Sequence, residues 1–237
     1  MAVTRQNHFQ SLFSLAITII LLVSCKEGTP ESISASEAKT NSTEFGVSRP
    51  RIVALGDSLT VGLGLRNDEA YPSILQKLVT EAGYELDVIS AGVSGDTSAG
   101  GLRRLGWALA GDVRFLIVAL GANDGLRGLP VMQMRENLSK VIERAMESGV
   151  AVLLAGMEAP PNFGTLYTEQ FREVFSGLAD EHDIAFAPFL LTDVAGNPDL
   201  NQSDGIHPNT EGAEVIAEYL WQTLQPMLEA NRINEGY

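Results

Sequence analysis

Arg51-Ile52-Val53-Ala54-Leu55-Gly56-Asp57-Ser58-Leu59-Thr60 decides the fold. Ile52 to Leu55 is continuously apolar, as a strand covered on both faces requires. Gly56-Asp57-Ser58 then breaks the run with turn-forming residues. A serine on the turn leaving a buried strand is held still and exposed. That suits a nucleophile, because covalent catalysis needs a fixed attacking atom beside a base. A serine at this place also serves as the cap of a following helix. The four residues Gly56-Asp57-Ser58-Leu59 leave both possibilities open.

Working outward, further short apolar runs lie at Leu86–Ile89, Phe115–Leu120, Val150–Ala155 and Ile184–Phe186. Helical patterns separate them. Pro72 suits the first turn of a helix running to about Ala82. A second is predicted from Ser98 to Ala110. The third, Val131 to Ser148, places Met134, Leu138, Val141, Ile142, Ala145 and Met146 at helical spacing on one face, and Gly149 ends it. Two more run from Tyr167 to Asp180 and from Thr210 to Glu229. Strands alternating with helices predict βαβ units with right-handed crossovers. The expected fold is α/β: a flavodoxin-like three-layer α/β/α sandwich with a five-stranded parallel sheet.

Composition narrows the function. The 237 residues carry 30 Asp+Glu against 16 Lys+Arg, a formal charge of −14. Nucleic acid is a poor partner for such a chain, since phosphate contacts need clustered cations. The pair Arg103-Arg104 reads as a solvated helix face. Cys25 is the sole cysteine, so neither an intramolecular disulfide nor a cysteine-based zinc site is available. His8, His182 and His207 fall in no metal-ligand spacing, and no metal or other cofactor is expected. There is no Gly-x-Ser-x-Gly elbow, no third glycine after Gly62 and Gly64, and no Gly-Lys-Ser/Thr loop. These absences argue against the α/β-hydrolase family proper, a dinucleotide fingerprint and a P-loop.

The N-terminus reads as a targeting segment. Arg5 precedes an apolar run, Leu12–Val23, too short to span a bilayer comfortably. Leu22-Val23-Ser24-Cys25 resembles the bacterial lipobox, which implies cleavage before Cys25 and lipidation of it. An ordinary secretory signal cut elsewhere and an uncleaved anchor are the alternatives. Lys26 to Ser48 is rich in Ser, Thr, Glu and Ala and reads as a flexible tether, with an end-to-end distance of roughly 25 Å. The expected organisation is a signal peptide at 1–24, lipidated Cys25 and tether at 25–49, and one domain at 50–237. The expected location is the bacterial cell envelope, with the domain lipid-anchored and facing the periplasm or the outside. Lys26 stands where an inner-membrane-retained lipoprotein has aspartate, which favours the outer membrane.

In doubly wound sheets, sites form beyond the carboxyl ends of the strands. Polar, glycine-rich stretches follow the first three strands here: Gly56-Asp57-Ser58, Ser90 to Thr97, and Gly121-Ala122-Asn123-Asp124. A fourth, Ser203-Asp204-Gly205-Ile206-His207-Pro208, precedes the last helix. All four reach one edge of the predicted sheet. In this order they resemble the SGNH (GDSL-type) hydrolases. Ser94-Gly95-Asp96-Thr97-Ser98, Asn123-Asp124-Gly125-Leu126-Arg127-Gly128 and Asp204-Gly205-Ile206-His207-Pro208 are similar to the bacterial periplasmic acyl-CoA thioesterase/arylesterase/lysophospholipase branch. The similarity covers about residues 50–228. The family often has Gly-Gly-Asn-Asp where this chain has Gly-Ala-Asn-Asp.

The resemblance implies a serine hydrolase working through an acyl-enzyme. Ser58 would be the nucleophile, His207 the general base, and Asp204 the carboxylate that orients the imidazole. Activity is then expected to fall in acid, where a proton occupies the base. The oxyanion donors implied are the backbone N–H of Ser58, the N–H of Gly95 and the side chain of Asn123. Turn geometry alone would also explain Gly95 and Asn123. His182, between Glu181 and Asp183 near a helix end, suits a solvated position better than catalysis. Ser94 is the weaker alternative nucleophile. Asp57, Asp96 and Asp124 are expected to fix loops by hydrogen bonds to nearby backbone. The loops Gly125–Pro130 and Met157–Gly164 correspond to those that border the acyl groove in the thioesterase branch. Leu126, Leu129, Met157, Phe163 and Tyr167 are the groove candidates, with ordinary packing under loops as their alternative.

The expected substrates are acyl esters, including aryl esters and acyl thioesters, with lysophospholipids as a further class. A carbohydrate O-acetyl esterase would use the same residues. A catalytically silent surface lipoprotein would have no need of the full set. Apart from the small substrate and the membrane, the sequence indicates no partner.

Overall fold

The computed structural model describes residues 49–235. The leader, Cys25 and the tether lie outside the described residues. Five strands form one parallel sheet: β1 (Arg51–Gly56), β2 (Asp87–Gly92), β3 (Val113–Ala119), β4 (Ala151–Ala155) and β5 (Ala185–Ala187). Their order is β2-β1-β3-β4-β5, the flavodoxin-like arrangement expected. Each strand falls on a predicted apolar run, shifted by a few residues.

Among the described residues seven α-helices accompany them: α1 (Ser58–Val61), α2 (Tyr71–Glu81), α3 (Ser98–Ala108), α4 (Ala122–Leu126), α5 (Val131–Glu147), α6 (Thr165–His182) and α7 (Thr210–Glu235). On one side α2 packs on α7. On the other, α5 lies between α3 and α6. The two short helices α1 and α4 are additions to the predicted pattern. Both begin within three residues of a strand end, where a single turn carries no amphipathic period to read.

Burial follows sheet position. Ile52, Ala54 and Leu55 of β1 and Leu116 to Ala119 of β3 are fully enclosed, because helices cover both faces of the central strands. Met134, Leu138, Val141, Ile142 and Ala145 of α5 are buried as their spacing requires. Met146 corrects the expectation: it is 43% exposed, because it lies at the margin of that face, about 100° round the helix from Ala145. β2 departs from the expectation of a strand buried on both faces. It lies at the sheet edge, and Ile89 and Ser90 are exposed.

The direction of chain travel reverses between β1 and β3. After β1 the chain moves outward to β2, and after β3 it moves to β4 on the other side. The loops leaving these neighbouring strands diverge and open a crevice at their carboxyl ends. Ser58 stands two residues past β1, and Asn123 four residues past β3.

Candidate active site

Ser58 opens α1 and is held by backbone bonds on the turn it starts. Its carbonyl accepts from the N–H groups of Gly62 and Leu63, at 3.1 and 3.0 Å. Asp57 caps the same turn, its Oδ1 accepting from Leu59 N–H at 3.0 Å. The Ser58 hydroxyl lies 2.9 Å from His207 Nε2, bridging 149 positions of chain. The Nδ1 of His207 lies 2.7 Å from Asp204 Oδ2. A carboxylate can only accept, so Nδ1 carries the hydrogen and Nε2 is left to accept from the serine. The imidazole is therefore in the tautomer that a general base requires.

Asp204 is oriented in turn by its own loop. Its Oδ1 accepts from Ile206 and His207 N–H, each at 3.0 Å. The His207 ring bond and these two amide bonds pull its pKa down to about 2. Asp204 therefore stays ionised beside the His207 ring. Ser94 is exposed on the rim, and the His207 ring is directed to Ser58 instead.

The loops after β2 and β3 bring Gly95 and Asn123 to the same edge. Gly95 has φ +78°, a left-handed conformation that glycine adopts without strain. Asn123 Nδ2 donates to Asp57 Oδ2 at 3.0 Å. That bond engages one amide hydrogen and leaves the second available. Asp57 is almost fully enclosed, and burial raises its pKa although the Leu59 and Asn123 donors oppose the rise. Asp124 is buried as well. It accepts from Ser98 N–H at 2.8 Å and from Ser98 Oγ at 2.6 Å, joining the Asn123 loop to the start of α3.

With this geometry the chain can be set beside known proteins. Residues 54–215 match the model of the GDSL-like Lipase/Acylhydrolase family. The chain belongs to that family. It is 40% identical to esterase TesA of Pseudomonas aeruginosa over 178 residues, covering 75% of this chain and 89% of the relative. It is 34% identical to thioesterase 1/protease 1/lysophospholipase L1 of Escherichia coli, over 75% and 84% of the two chains. Among solved structures, the psychrotrophic esterase EstA from Pseudoalteromonas sp., inhibited by monoethylphosphonate, superimposes with a TM-score of 0.72 at 32% identity, over 76% of this chain and 98% of that one.

In this GDSL-family chain the loop that follows Asn123 is clasped to the loop that follows β4. Tyr167 Oη donates to the Leu129 carbonyl at 2.8 Å, tying the start of α6 to the loop after α4. The Phe163 ring packs on Tyr167 with centroids 5.3 Å apart and lies against Gly128. Leu126 is 48% exposed and Phe163 39% exposed. Leu129 and Tyr167 are half-buried behind them. Met157 corrects the expectation of a groove position: it is 2% exposed and belongs to the core. The chain has not yet left the sheet there. Gly156 N–H donates to Ala187 O, and Gly156 O accepts from Leu190 N–H, so β4 pairing continues up to Met157. Next to Ser58 a small notch is lined by Leu63, Leu65, Tyr71, His207 and Ile216.

Three polar residues that bind these loops together stand outside the motif-based set. Arg104 was expected on a solvated face, and only its neighbour Arg103 is exposed. The Arg104 guanidinium donates to Asp96 Oδ2 at 2.6 Å, to Ala91 O at 2.6 Å and to Gly56 O at 2.7 Å. Asp96 thus fixes its loop through this side chain. Arg127 donates to Gly95 O at 2.7 Å. Gln202 Nε2 donates to Leu63 O and Pro208 O, at 2.7 and 2.9 Å. For Arg104 the available signal was its spacing of eight residues from Asp96, about two helical turns. His182 also departs from its expected solvation: it is half-buried, with Nε2 3.2 Å from Ser139 Oγ.

Proposed function

We propose that the chain is a serine esterase and thioesterase in which Ser58, His207 and Asp204 form the catalytic triad. Ser58 Oγ attacks the acyl carbonyl while His207 Nε2 takes its proton. The carbonyl π pair moves onto oxygen, giving a tetrahedral oxyanion. The backbone N–H of Ser58 and Gly95 and the side-chain amide of Asn123 stabilise that charge. Collapse breaks the bond to the alkoxide or thiolate, which leaves with the proton from His207. Water then attacks the acyl-enzyme, His207 taking its proton and returning it to Ser58 as the carboxylic acid departs. Asp204 holds the imidazole and stabilises its cation throughout.

The observation that carries this proposal is the 2.9 Å contact between Ser58 Oγ and His207 Nε2, with Nδ1 of the same ring committed to Asp204. The names of the relatives, esterase and thioesterase/lysophospholipase, support acyl esters and thioesters as the substrate class. The exposed apolar residues Leu126 and Phe163 favour an acyl chain lying over the outer surface of the two clasped loops. The test is hydrolysis of p-nitrophenyl acyl esters and acyl thioesters of increasing chain length, with acetylated sugars for contrast. Ser58→Ala should abolish turnover of every substrate the native chain hydrolyses. Equal rates for the two proteins would remove Ser58 from the mechanism.

The same proposal places the enzyme on a bacterial envelope membrane through lipidated Cys25. Cys25→Ser should release it from membranes and leave esterase activity intact. Retained membrane association would point to an uncleaved anchor.

A further inference from the structure

The side-chain bonds around Ser58 form a closed circuit. Asn123 Nδ2 donates to Asp57, whose backbone follows Gly56. Gly56 O accepts from Arg104, which also donates to Asp96. Asp96 follows Gly95, and Gly95 O accepts from Arg127 Nη2 at 2.7 Å. The same nitrogen lies 3.5 Å from Asn123 Oδ1, at the outer limit of a hydrogen bond. The circuit therefore passes through the three loops that carry Ser58, Gly95 and Asn123.

Two guanidinium groups hold the Gly95 loop from opposite sides. Arg104 grips it from the interior, through Asp96, with its side chain only 17% exposed. Arg127 grips it from the rim and is exposed. A Cβ built on Gly95 would lie 3.5 Å from Arg127 Nη2, so the guanidinium also covers the face of that residue. A left-handed residue in an exposed loop has neighbouring conformations within reach. Oxyanion donors act only when they are already aimed, because reorganisation during the reaction costs what the donor would contribute.

We infer that Arg127 is a positioning residue: it latches the Gly95 loop to the Asn123 loop and so keeps two oxyanion donors aimed at one point. Arg127 acts through Gly95 and Asn123 and touches no reacting atom. The inference rests on the assignment of Gly95 and Asn123 as oxyanion donors. Arginine suits the role, since the two hydrogens of Nη2 are fixed in the plane of a rigid group and aim at two acceptors, where a lysine ammonium rotates freely at the end of a flexible stem.

The test uses a small neutral ester, p-nitrophenyl acetate, on which the charge of Arg127 has no group to attract. Arg127→Ala should lower kcat about tenfold or more, part of the roughly hundredfold loss typical of a missing donor. KM should stay within about twofold, because an interaction felt mainly in the transition state leaves ground-state binding alone. The thermal midpoint should be unchanged, since the side chain is exposed. Arg127→Lys should recover part of the rate. In a Gly95→Ala background, where left-handed strain has already displaced the loop, adding Arg127→Ala should cost less than about twofold.

An unchanged kcat in Arg127→Ala would overturn the latch. So would losses that multiply in full in the double variant, or a raised KM with kcat intact, which would make Arg127 a substrate-binding group. Gly95→Ala and Asn123→Ala separate this proposal from the one beneath it. If they lower kcat and Arg127→Ala does not, the latch alone fails. If all three leave kcat intact, the oxyanion assignment fails with it.

Discussion

Gln202 Nε2 donates to the carbonyl of Leu63 at 2.7 Å, joining residues 139 positions apart. The bond connects the loop that carries His207 to the loop that follows Ser58. Gln202 also accounts for the shape of the His207 loop: its N–H donates to His207 O at 2.7 Å, and its Nε2 donates to Pro208 O at 2.9 Å. Gln202→Ala removes both side-chain bonds and leaves the backbone one. It should lower kcat about tenfold by widening the Ser58–His207 separation, since small misplacements of a catalytic pair cost orders of magnitude. Gln202→Glu should be worse, because a carboxylate would face two carbonyl oxygens with no hydrogen to offer. Steady-state kinetics on a short ester would decide; native kcat in both variants would break the argument.

The same bond marks where the sequence stops being legible. The strands and major helices follow from patterns within one segment: the apolar run Ile52–Leu55, or the Met134-Leu138-Val141-Ile142-Ala145 face. Ser58, Asp204 and His207 are recoverable because their motifs are short and ordered. The roles of Arg127 and Gln202 are not, because what they bind is mostly backbone carbonyl. A carbonyl carries no residue identity, so no pairing of side-chain types announces the contact. Met157 fails for a related reason. An apolar residue just past a strand suits the core or a groove equally, and pairing of Gly156 with β5 puts it in the core.

Asp57 should separate stability from activity. Burial raises its pKa above the ordinary 3.8. For a carboxyl so raised, its contribution to stability is complete below pH 3.8 and declines as pH rises through the folded value. At neutral pH the buried charge is therefore a cost. Asp57→Asn keeps the shape and discards the charge, so the thermal midpoint at pH 7 should match or exceed that of the native protein. The difference should shrink or reverse towards pH 4. Activity should nonetheless fall, because the amide of Asn123 loses the charged acceptor that orients it. A lower midpoint at pH 7 together with native kcat would contradict both halves.

Asp204 has the opposite sign. The hydrogen bond from the His207 ring, with those from Ile206 and His207 N–H, lowers its pKa to about 2. Its stabilising contribution is present above 3.8 and is lost as pH falls towards 2. Denaturation of Asp204→Asn and native protein should differ above pH 4 and converge near pH 2. At neutral pH, Asp204→Asn should lower kcat by roughly a hundredfold or more through loss of the productive tautomer. A pH-rate profile that shifts only in its acid limb, with an unchanged plateau, would show that Asp204 does not orient the ring.

Gly92 ends β2 directly beneath the nucleophile turn. A Cβ there would overlap Val61 N and stand 2.9 Å from Asp57 O, both backbone atoms of the turn that carries Ser58. Backbone cannot swing aside as a side-chain tip can, so Gly92→Ala must push the turn outward. Overpacking of this kind costs about 1–3 kcal/mol. Because the displaced atoms flank Ser58, kcat should fall along with stability. Gly177 provides the control. It is exposed in the interior of α6, and a Cβ there meets nothing within 4 Å. Gly177→Ala should stabilise by about 0.5–1 kcal/mol, the usual difference between the two residues inside a helix, with kcat unchanged. Chemical denaturation and ester kinetics on the two variants would test the contrast, which fails if Gly92→Ala is as stable and active as Gly177→Ala.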